Sequence, residues 1–414
     1  MPLVERSQTL IHEDLGDVMT VLDVAKKPFK TMVKKGKKLT AMLFHDPVNK
    51  LQDARLGGVP DGTAINRSTL ADPSVNRGKI GGRGQVFERD LGVGFIAQSV
   101  SDVAGVADEY AQGVSDKLTE VAGDLELTCL SDQESRDSSS SAVSDLTRGL
   151  GYSINDGAPI DTEAGIPALY RTPAAQIKNV ASVGAFAKAD LDALLLAVNN
   201  SSGGGFATLH GFVTNRLLNV VNGFFEKFTP TSTELPLNRY TQNGDSDTIK
   251  HAVTHYVNAF AEVFFLPSQY LGGVRSYTGT SGLAATVTSG SAAVTLGAAF
   301  TDYKGNAGIQ VGMRVYGTGI PAGTTISAVN SNGTGLTLSA NASANGTLIY
   351  LGDIQHGHLV QMESLQFRSS LEPGHTNLAP DGAGDHGFIR AIGGLQNTNP
   401  THHAKIVTRA AAES

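Results

Sequence analysis

The sequence predicts a mixed α+β body interrupted by an all-β module. Three observations predict it. Apolar residues recur every three or four positions over 101–130. Residues 45–90 are polar and rich in Gly, Asn, Asp and Arg. From Ser276 to about Gly352 the chain turns Gly-, Thr-, Ser- and Ala-rich, with only Asp302, Lys304 and Arg314 charged.

The 101–130 stripe consists of Val103, Val106, Tyr110, Val114, Leu118, Val121, Leu125 and Cys129. This spacing gives one apolar face of a long helix. Ser101 is the expected N-cap and Asp102 suits the first turn. Cys129 falls on the apolar side and reads as a small buried residue.

The 45–90 segment runs from His45 through Leu56-Gly57-Gly58-Val59-Pro60-Asp61-Gly62 to Gly81-Gly82-Arg83-Gly84. Loops beyond roughly 12–15 residues are uncommon unless functional or disordered. Its scattered apolar residues predict no core of its own, so a second chain is expected to order it. Leu39–Phe44 reads as the strand leading out and Gln85–Ile96 as the strand returning.

Around these features the body alternates. Asp14–Val24 carries a weak helical pattern, and seven lysines crowd residues 26–38. Such a cluster suits a solvated basic face or contact with phosphate or an acidic neighbour. A helix is predicted over Ala187–Val198 with Leu191, Leu194, Leu195 and Val198 inward. A strand at Phe206–Leu209 and a helix striped by Val213, Leu217, Val220, Val221, Phe224, Phe225 and Phe228 follow. Residues Ile249–Leu266 read as two strands about a turn near Asn258, with Val253, Val257, Val263 and Phe265 inward. In the charge-poor region strands are expected at Ala285–Thr288, Ala292–Leu296, Met313–Tyr316, Thr324–Val329, Gly335–Ser339 and Thr347–Leu351. Their density predicts a small β-sandwich or barrel. His358–Phe367 and His403–Thr408 read as further strands of the body.

Composition narrows the function. The chain has 414 residues, enough for two or three domains, with 40% apolar and 17% charged residues. A formal charge of −7 argues against nucleic acid as the main ligand. One cysteine excludes a disulfide framework and most cysteine metal sites. No signal-peptide core or membrane-length apolar run stands out, so a cytoplasmic protein is expected. There is no P-loop signature, no G-x-G-x-x-G between strand and helix, no H-E-x-x-H and no G-x-S-x-G. His356, His358, His375, His386, His402 and His403 fill the C-terminal third, but no carboxylate or cysteine has zinc-site spacing with them. No catalytic, cofactor or metal site is assigned, and no enzyme activity is expected.

Several stretches in order carry a resemblance. They are Lys27–Lys37, then Ala187–Val198 with its glycine break, strand and helix, then Ala252–Val263, Leu266–Leu271 and Asn399–Ile406. With the arm, polar loop and long helix, the chain resembles major capsid (major head) proteins of tailed bacteriophages with the Hong Kong 97-like fold. The resemblance implies an N-terminal arm over 1–36, an extended E-loop over 37–98 and a peripheral P-domain over 99–173 with the 101–130 spine helix. It further implies an axial A-domain over 174–275, an inserted sandwich-like, Ig-like β-module over 276–352, and closing strands over 353–414. Inter-subunit contacts are then expected from Phe29, Lys34, Lys37, Asp53, Arg55, Asp61, Arg67, Asp72, Arg77 and Arg83. The spine core is expected at Val114, Leu118, Val121 and Leu125. Implied partners are further copies in hexamers and pentamers, portal, scaffolding and decoration proteins, and packaged double-stranded DNA by non-specific contact, with no membrane. The expected location is the virion, after assembly in the bacterial cytoplasm. Two rivals remain: a tail or fibre protein whose β-module grips a glycan, and a hydrolase using the histidines.

Overall fold

The computed structural model describes residues 26–52, 54, 56–58, 60–64, 74–94, 108–138, 144–224, 241–242, 249–250, 254–271, 282–301, 308–379 and 384–409. A short helix α1 (Pro28–Met32) and strand β1 (Lys34–Lys35) precede a hairpin of β2 (Leu43–Asn49) and β3 (Arg77–Arg83). Strand β4 (Gln85–Gly94) and the long helix α2 (Glu109–Leu130) follow, then the single turn α3 (Leu150–Ser153). Next come β5 (Ile177–Asn179), α4 (Lys188–Ser201), β6 (Ala207–Val213) and α5 (Asn215–Gly223). After the pair β7 (Thr241–Gln242) and β8 (Ile249–Lys250) lie β9 (His255–Val257) and β10 (Ala261–Pro267). The charge-poor region supplies β11 (Leu283–Val287), β12 (Ala293–Leu296), β13 (Val315–Gly317), β14 (Ile326–Val329), β15 (Gly335–Leu338) and β16 (Gly346–Leu351). The chain closes with β17 (Ile354–Val360), β18 (Leu365–Asn377), β19 (Gly384–Asn397) and β20 (Ala404–Thr408).

Helix α2 forms for the reason its spacing gave, but it starts later. Asp108, in extended conformation, caps it by accepting bonds from the Tyr110 and Ala111 amides. The helix therefore begins at Glu109, and the continuous 101–130 span is not observed; Ser101, Val103 and Val106 lie outside the described residues. Twenty-two residues give a rod of about 33 Å. Its stripe packs on a sheet ordered β1-β18-β19-β4. Val121 and Leu125 are buried there with Phe87, Ile389 and Ala391, while Val114 and Leu118 are only partly buried at the same contact.

A second sheet, ordered β5-β20-β17-β6-β10-β9, is the larger core. Leu191, Leu194, Leu195 and Val198 of α4, and Leu217 and Val221 of α5, cover one face. Asn258 turns β9 into β10, its side chain accepting from the Phe260 and Ala261 amides. Val263 and Phe265 are buried as expected. Val257 is exposed instead, because alternation along β9 sends Tyr256 inward. Val253, Phe225 and Phe228 lie outside the described residues. The other face of this sheet meets Phe29 of α1 and Leu130 of α2 at Phe212 and Val360.

The six strands expected in the charge-poor region are all present and pair only with one another, in antiparallel order β13-β16-β11-β12-β15-β14. The two end strands are also joined: Val315 N–H donates to Thr324 O at 3.0 Å and Ile326 N–H to Met313 O at 2.9 Å. The sheet thus closes into a small barrel around Val287, Val294, Val315, Leu336 and Ile349, rather than forming an Ig-like two-sheet sandwich. Leu283 pairs with Ile349, so the chain enters and leaves the barrel side by side. At the exit, buried Asp353 accepts from Arg314 and Tyr316 of the barrel and from Arg409 beyond β20. Burial opposes its ionisation, but Lys405, Arg314 and Arg409 outweigh this and hold its carboxyl below the usual range.

Val121→Asp should abolish folding of the subunit or cost several kcal/mol, because the side chain is fully buried in an apolar cluster. Val114→Asp and Leu118→Asp should cost clearly less, since water reaches both. Chemical denaturation of the three variants checks the ranking.

Replacing 283–351 with a short Gly/Ser linker should leave the rest folded, with a loss of a few kcal/mol from the ion pairs at Asp353. Circular dichroism melting of the shortened chain tests this; complete unfolding would contradict it.

Candidate assembly surfaces

The 45–90 segment has a packed stem and an exposed tip. Strand β2 pairs in register with β3, Leu43 opposite Arg83 and Asn49 opposite Arg77. The returning partner is therefore Arg77–Arg83, not Gln85–Ile96. Strand β4 instead pairs with β19 in the sheet under α2. Two-stranded ribbons are marginal alone in water. This one leans on the irregular segment 131–170, with Ile80 buried against Ile166 and Tyr170. Gly81 donates to Gly165 O at 3.0 Å, and a Cβ there would sit 2.4 Å from the Ala164 Cα. Only glycine permits that approach.

Two arginines hold the stem from that segment. Arg148 is buried, its Nε donating to Glu134 Oε1 at 2.6 Å. Its Nη1 donates to Gly81 O at 3.2 Å and its Nη2 to Ala164 O at 2.8 Å. The other Glu134 oxygen accepts from the Ile160 amide. Arg83, 3% exposed, gives Nε to Asp161, Nη1 to Asp137 and Nη2 to Glu163, at 2.6, 2.8 and 2.6 Å. Burial alone would lower its pKa, but the bonds it donates to Asp161 and Glu163 outweigh this and hold it above the ordinary value. Asp46 on β2 is likewise bound within the subunit, by Arg368 and Gln396.

Beyond the stem the described tip residues face water. Leu56 is 107% exposed and Leu51 80% exposed. Pro60–Thr63 forms a tight turn closed by the Thr63 amide and hydroxyl on Pro60 O, with Gly62 at φ +79°. Asp61 and Arg77 are exposed. Asp53, Arg55, Arg67 and Asp72 lie outside the described residues.

The described part of the arm, residues 26–36, is docked on the body. Helix α1 is too short to persist alone. Its first amides, Phe29 and Lys30, donate to the two oxygens of Glu126 on α2 at 3.0 and 2.7 Å. Phe29, 1% exposed, meets Phe212 edge-to-face at 5.3 Å between centroids. Lys34 and Lys37 are exposed. Of the expected inter-subunit residues, Phe29 and Arg83 are thus corrected to internal anchors: each is already buried and partnered within its own chain. Sequence reasoning missed Glu126, Glu134 and Arg148. A Glu and an Arg surrounded by apolar or small residues were the only signal, and their partners lie too far along the chain to be read from it.

The histidines serve the body. His358 donates to Leu130 O at 3.1 Å, and His356 Nε2 lies 2.7 Å from Thr408 Oγ1. His403 Nδ1 accepts from the Gln361 amide, so its Nε2–H donates to Asn397 Oδ1 at 3.1 Å. Burial holds both His358 and His403 down at about 3, with Lys405 adding to the effect at His358. No group of three or more His, Cys, Asp or Glu side chains that could hold a metal occurs among the described residues.

Arg148→Met should destabilise the subunit by about 3–5 kcal/mol, because it strands buried Glu134 without its cation. Arg83→Met should cost less, since two of its three carboxylates, Asp137 and Glu163, are well exposed. Urea titration distinguishes the two.

Acid should weaken the fold through His358 and His403. Their folded pKa lies below the unfolded value of about 6.5, so the unfolded chain takes up protons that the folded chain refuses. The contribution is whole above about pH 6.5 and is lost progressively as pH falls toward 3. The melting midpoint should drop over that window, and His403→Gln should flatten the slope.

The SU10 major capsid protein family matches residues 4–292. No curated protein matches the chain. Among solved structures, the capsid of the empty GTA particle aligns with a TM-score of 0.51 at 8% identity, covering 98% of this chain and 97% of that one. The capsid of the cyanophage P-SCSP1u aligns at 0.50 and 8% identity, covering 97% and 93%. These likenesses are of fold, and the fold is the Hong Kong 97-like one. Nothing among the matches supports a tail or fibre role. The chain belongs to the SU10 major capsid protein family, as a structural subunit of a bacteriophage capsid.

Proposed function

We propose that this subunit builds hexamers and pentamers that close into an icosahedral shell around double-stranded DNA, without catalysing a reaction. The observation that carries this is the contrast along one loop: a stem fixed by buried arginines and a tip with Leu51 and Leu56 in water. A loop mounted so firmly, whose described tip residues are exposed, is suited to lie across a neighbour. Its weak contacts would count through repetition in the closed assembly.

The division into arm, E-loop, P-domain, A-domain and closing strands is part of the same proposal, with the E-loop's free portion narrowed to about 50–76. The exposed lysines Lys34 and Lys37 suit non-specific contact with packaged DNA, because phosphate attraction needs charge and no base reading. Asp61 and Arg77 suit contacts between subunits. Portal, scaffolding and decoration proteins would be further partners, and assembly would occur in the host cytoplasm before the subunit becomes part of the virion.

Deleting 52–72 while keeping β2 and β3 should leave the melting midpoint of the free subunit nearly unchanged, since shortening a loop costs little entropy. Closed particles should no longer form. Electron microscopy of the wild type and the deletion tests both: normal shells from the deletion would remove the loop's role. A wild type that stays a monomer or trimer by light scattering would overturn the function itself.

A further inference from the structure

We propose that the inserted barrel, β11–β16, braces the root of the 45–90 loop within its own subunit, with Ile160 as the positioning residue. The six barrel strands pair only with one another, so by strand pairing alone the barrel is a passenger on the body. The contacts of the segment 131–165, which lies between the barrel and the loop stem, give it a second role. Among the described residues of that segment the only helix or strand is α3, a single turn. A segment with so little hydrogen-bonded frame of its own takes its shape from what it leans on.

The barrel holds one side of the segment. Ile160 is packed against the barrel's core cluster. It lies directly over Gly312, where an added Cβ would come within 2.9 Å of Ile160 Cγ1. Gly312 also has φ +93°, so both space and backbone require glycine there. At the barrel's exit, Asp132 Oδ2 accepts from the Asp353 amide at 3.0 Å.

The other side of the segment holds the stem. Ile160 gives its amide to Glu134 Oε2 at 3.0 Å, and Glu134 fixes Arg148, which binds Gly81 O on β3. The next residue, Asp161, accepts from Arg83 Nε at 2.6 Å through one oxygen. Its other oxygen accepts from the Glu163 and Ala164 amides, both at 3.1 Å. Two consecutive residues therefore join the barrel's core to both arginines of the stem. Buried ion pairs tolerate little displacement, because a guanidinium that loses its carboxylate stays buried. Loss of the Ile160 anchor thus reaches Arg148 through Glu134 and Arg83 through Asp161. The barrel becomes the third support of a ribbon that is marginal alone. This goes beyond the loop role proposed above.

The test is hydrogen exchange on the full-length free subunit carrying Ile160→Ala, Ile160→Val or Gly312→Ala. The first removes the anchor from the segment's side, and the third displaces it from the barrel's side. In both, amides of 77–83 should exchange about tenfold faster or more, while β12 and β15 of the barrel and β6 and β17 of the body stay as protected as in the wild type. Ile160→Val keeps most of the side chain and should leave the stem close to wild type. Wild-type exchange at 77–83 in either Ile160→Ala or Gly312→Ala would overturn the brace. So would faster exchange spread evenly over the stem, β6 and β17, the signature of a subunit less stable throughout. Urea titration of Ile160→Ala, Arg83→Met and the double variant gives a second measurement. The double variant should lose less stability than the sum of the single losses, because both changes release one brace; additive losses would contradict it. Failure of the wild type to assemble would strike the function proposed above and leave these measurements untouched.

Discussion

The buried pair Arg148–Glu134 is the constraint on which the rest of the subunit depends. A buried ion pair gains little over an apolar pair of the same volume, but losing one partner is costly. Here the guanidinium does more than neutralise Glu134. It also binds two backbone carbonyls, Gly81 on β3 and Ala164 on the segment opposite. It thereby fixes a two-stranded ribbon that would be marginal alone. Arg83 repeats the device two residues further along β3, with three carboxylates around one guanidinium. The direction in which the loop leaves the body follows from these two residues and from Gly81, whose missing side chain lets β3 close against Ala164.

The arm is mounted by the inverse arrangement. A carboxylate, Glu126, projects from α2 and receives the free amides at the start of α1, where a helix favours negative charge. Burial raises its pKa even though those amides and nearby Lys27 and Lys30 favour the ionised form. Two extensions of the subunit are thus held at their roots by charged groups from the central body. Their outer surfaces, with Lys34 and Lys37 on the arm and Leu51 and Leu56 on the tip, are exposed. Rigid roots with open ends suit a protein whose stable form is an assembly.

Regular periodicity was legible in the sequence, and long-range pairing was not. The stripes on α2 and α4 and the six barrel strands were readable because each has its signal within a dozen residues. The helix start was misplaced because Ser101 and Asp108 are both good caps, and only the backbone distinguishes them. Strand β3, Arg-Gly-Lys-Ile-Gly-Gly-Arg, lacks the β-branched and aromatic residues that mark strands, so it read as loop. Its core, Ile80 against Ile166 and Tyr170, is assembled from residues far apart in sequence. The hairpin of β18 and β19 was hidden for a related reason: bulges at Ser369–Gly374 break the alternation on which strand reading relies. Arg83 looked like one more loop charge, since nothing local shows that three carboxylates from 137–163 converge on it.

Hydrogen exchange, followed by mass spectrometry on free subunits and on assembled shells, tests the central claim most directly. The account predicts that amides of 77–83 are already protected in the free subunit. Those of the described tip, such as 56–58 and 61–64, should exchange rapidly in the free subunit and slow markedly in shells. Rapid exchange of the stem in the free subunit would show that the arginines do not hold it. A tip that exchanges equally fast in both states would show that no neighbour covers it.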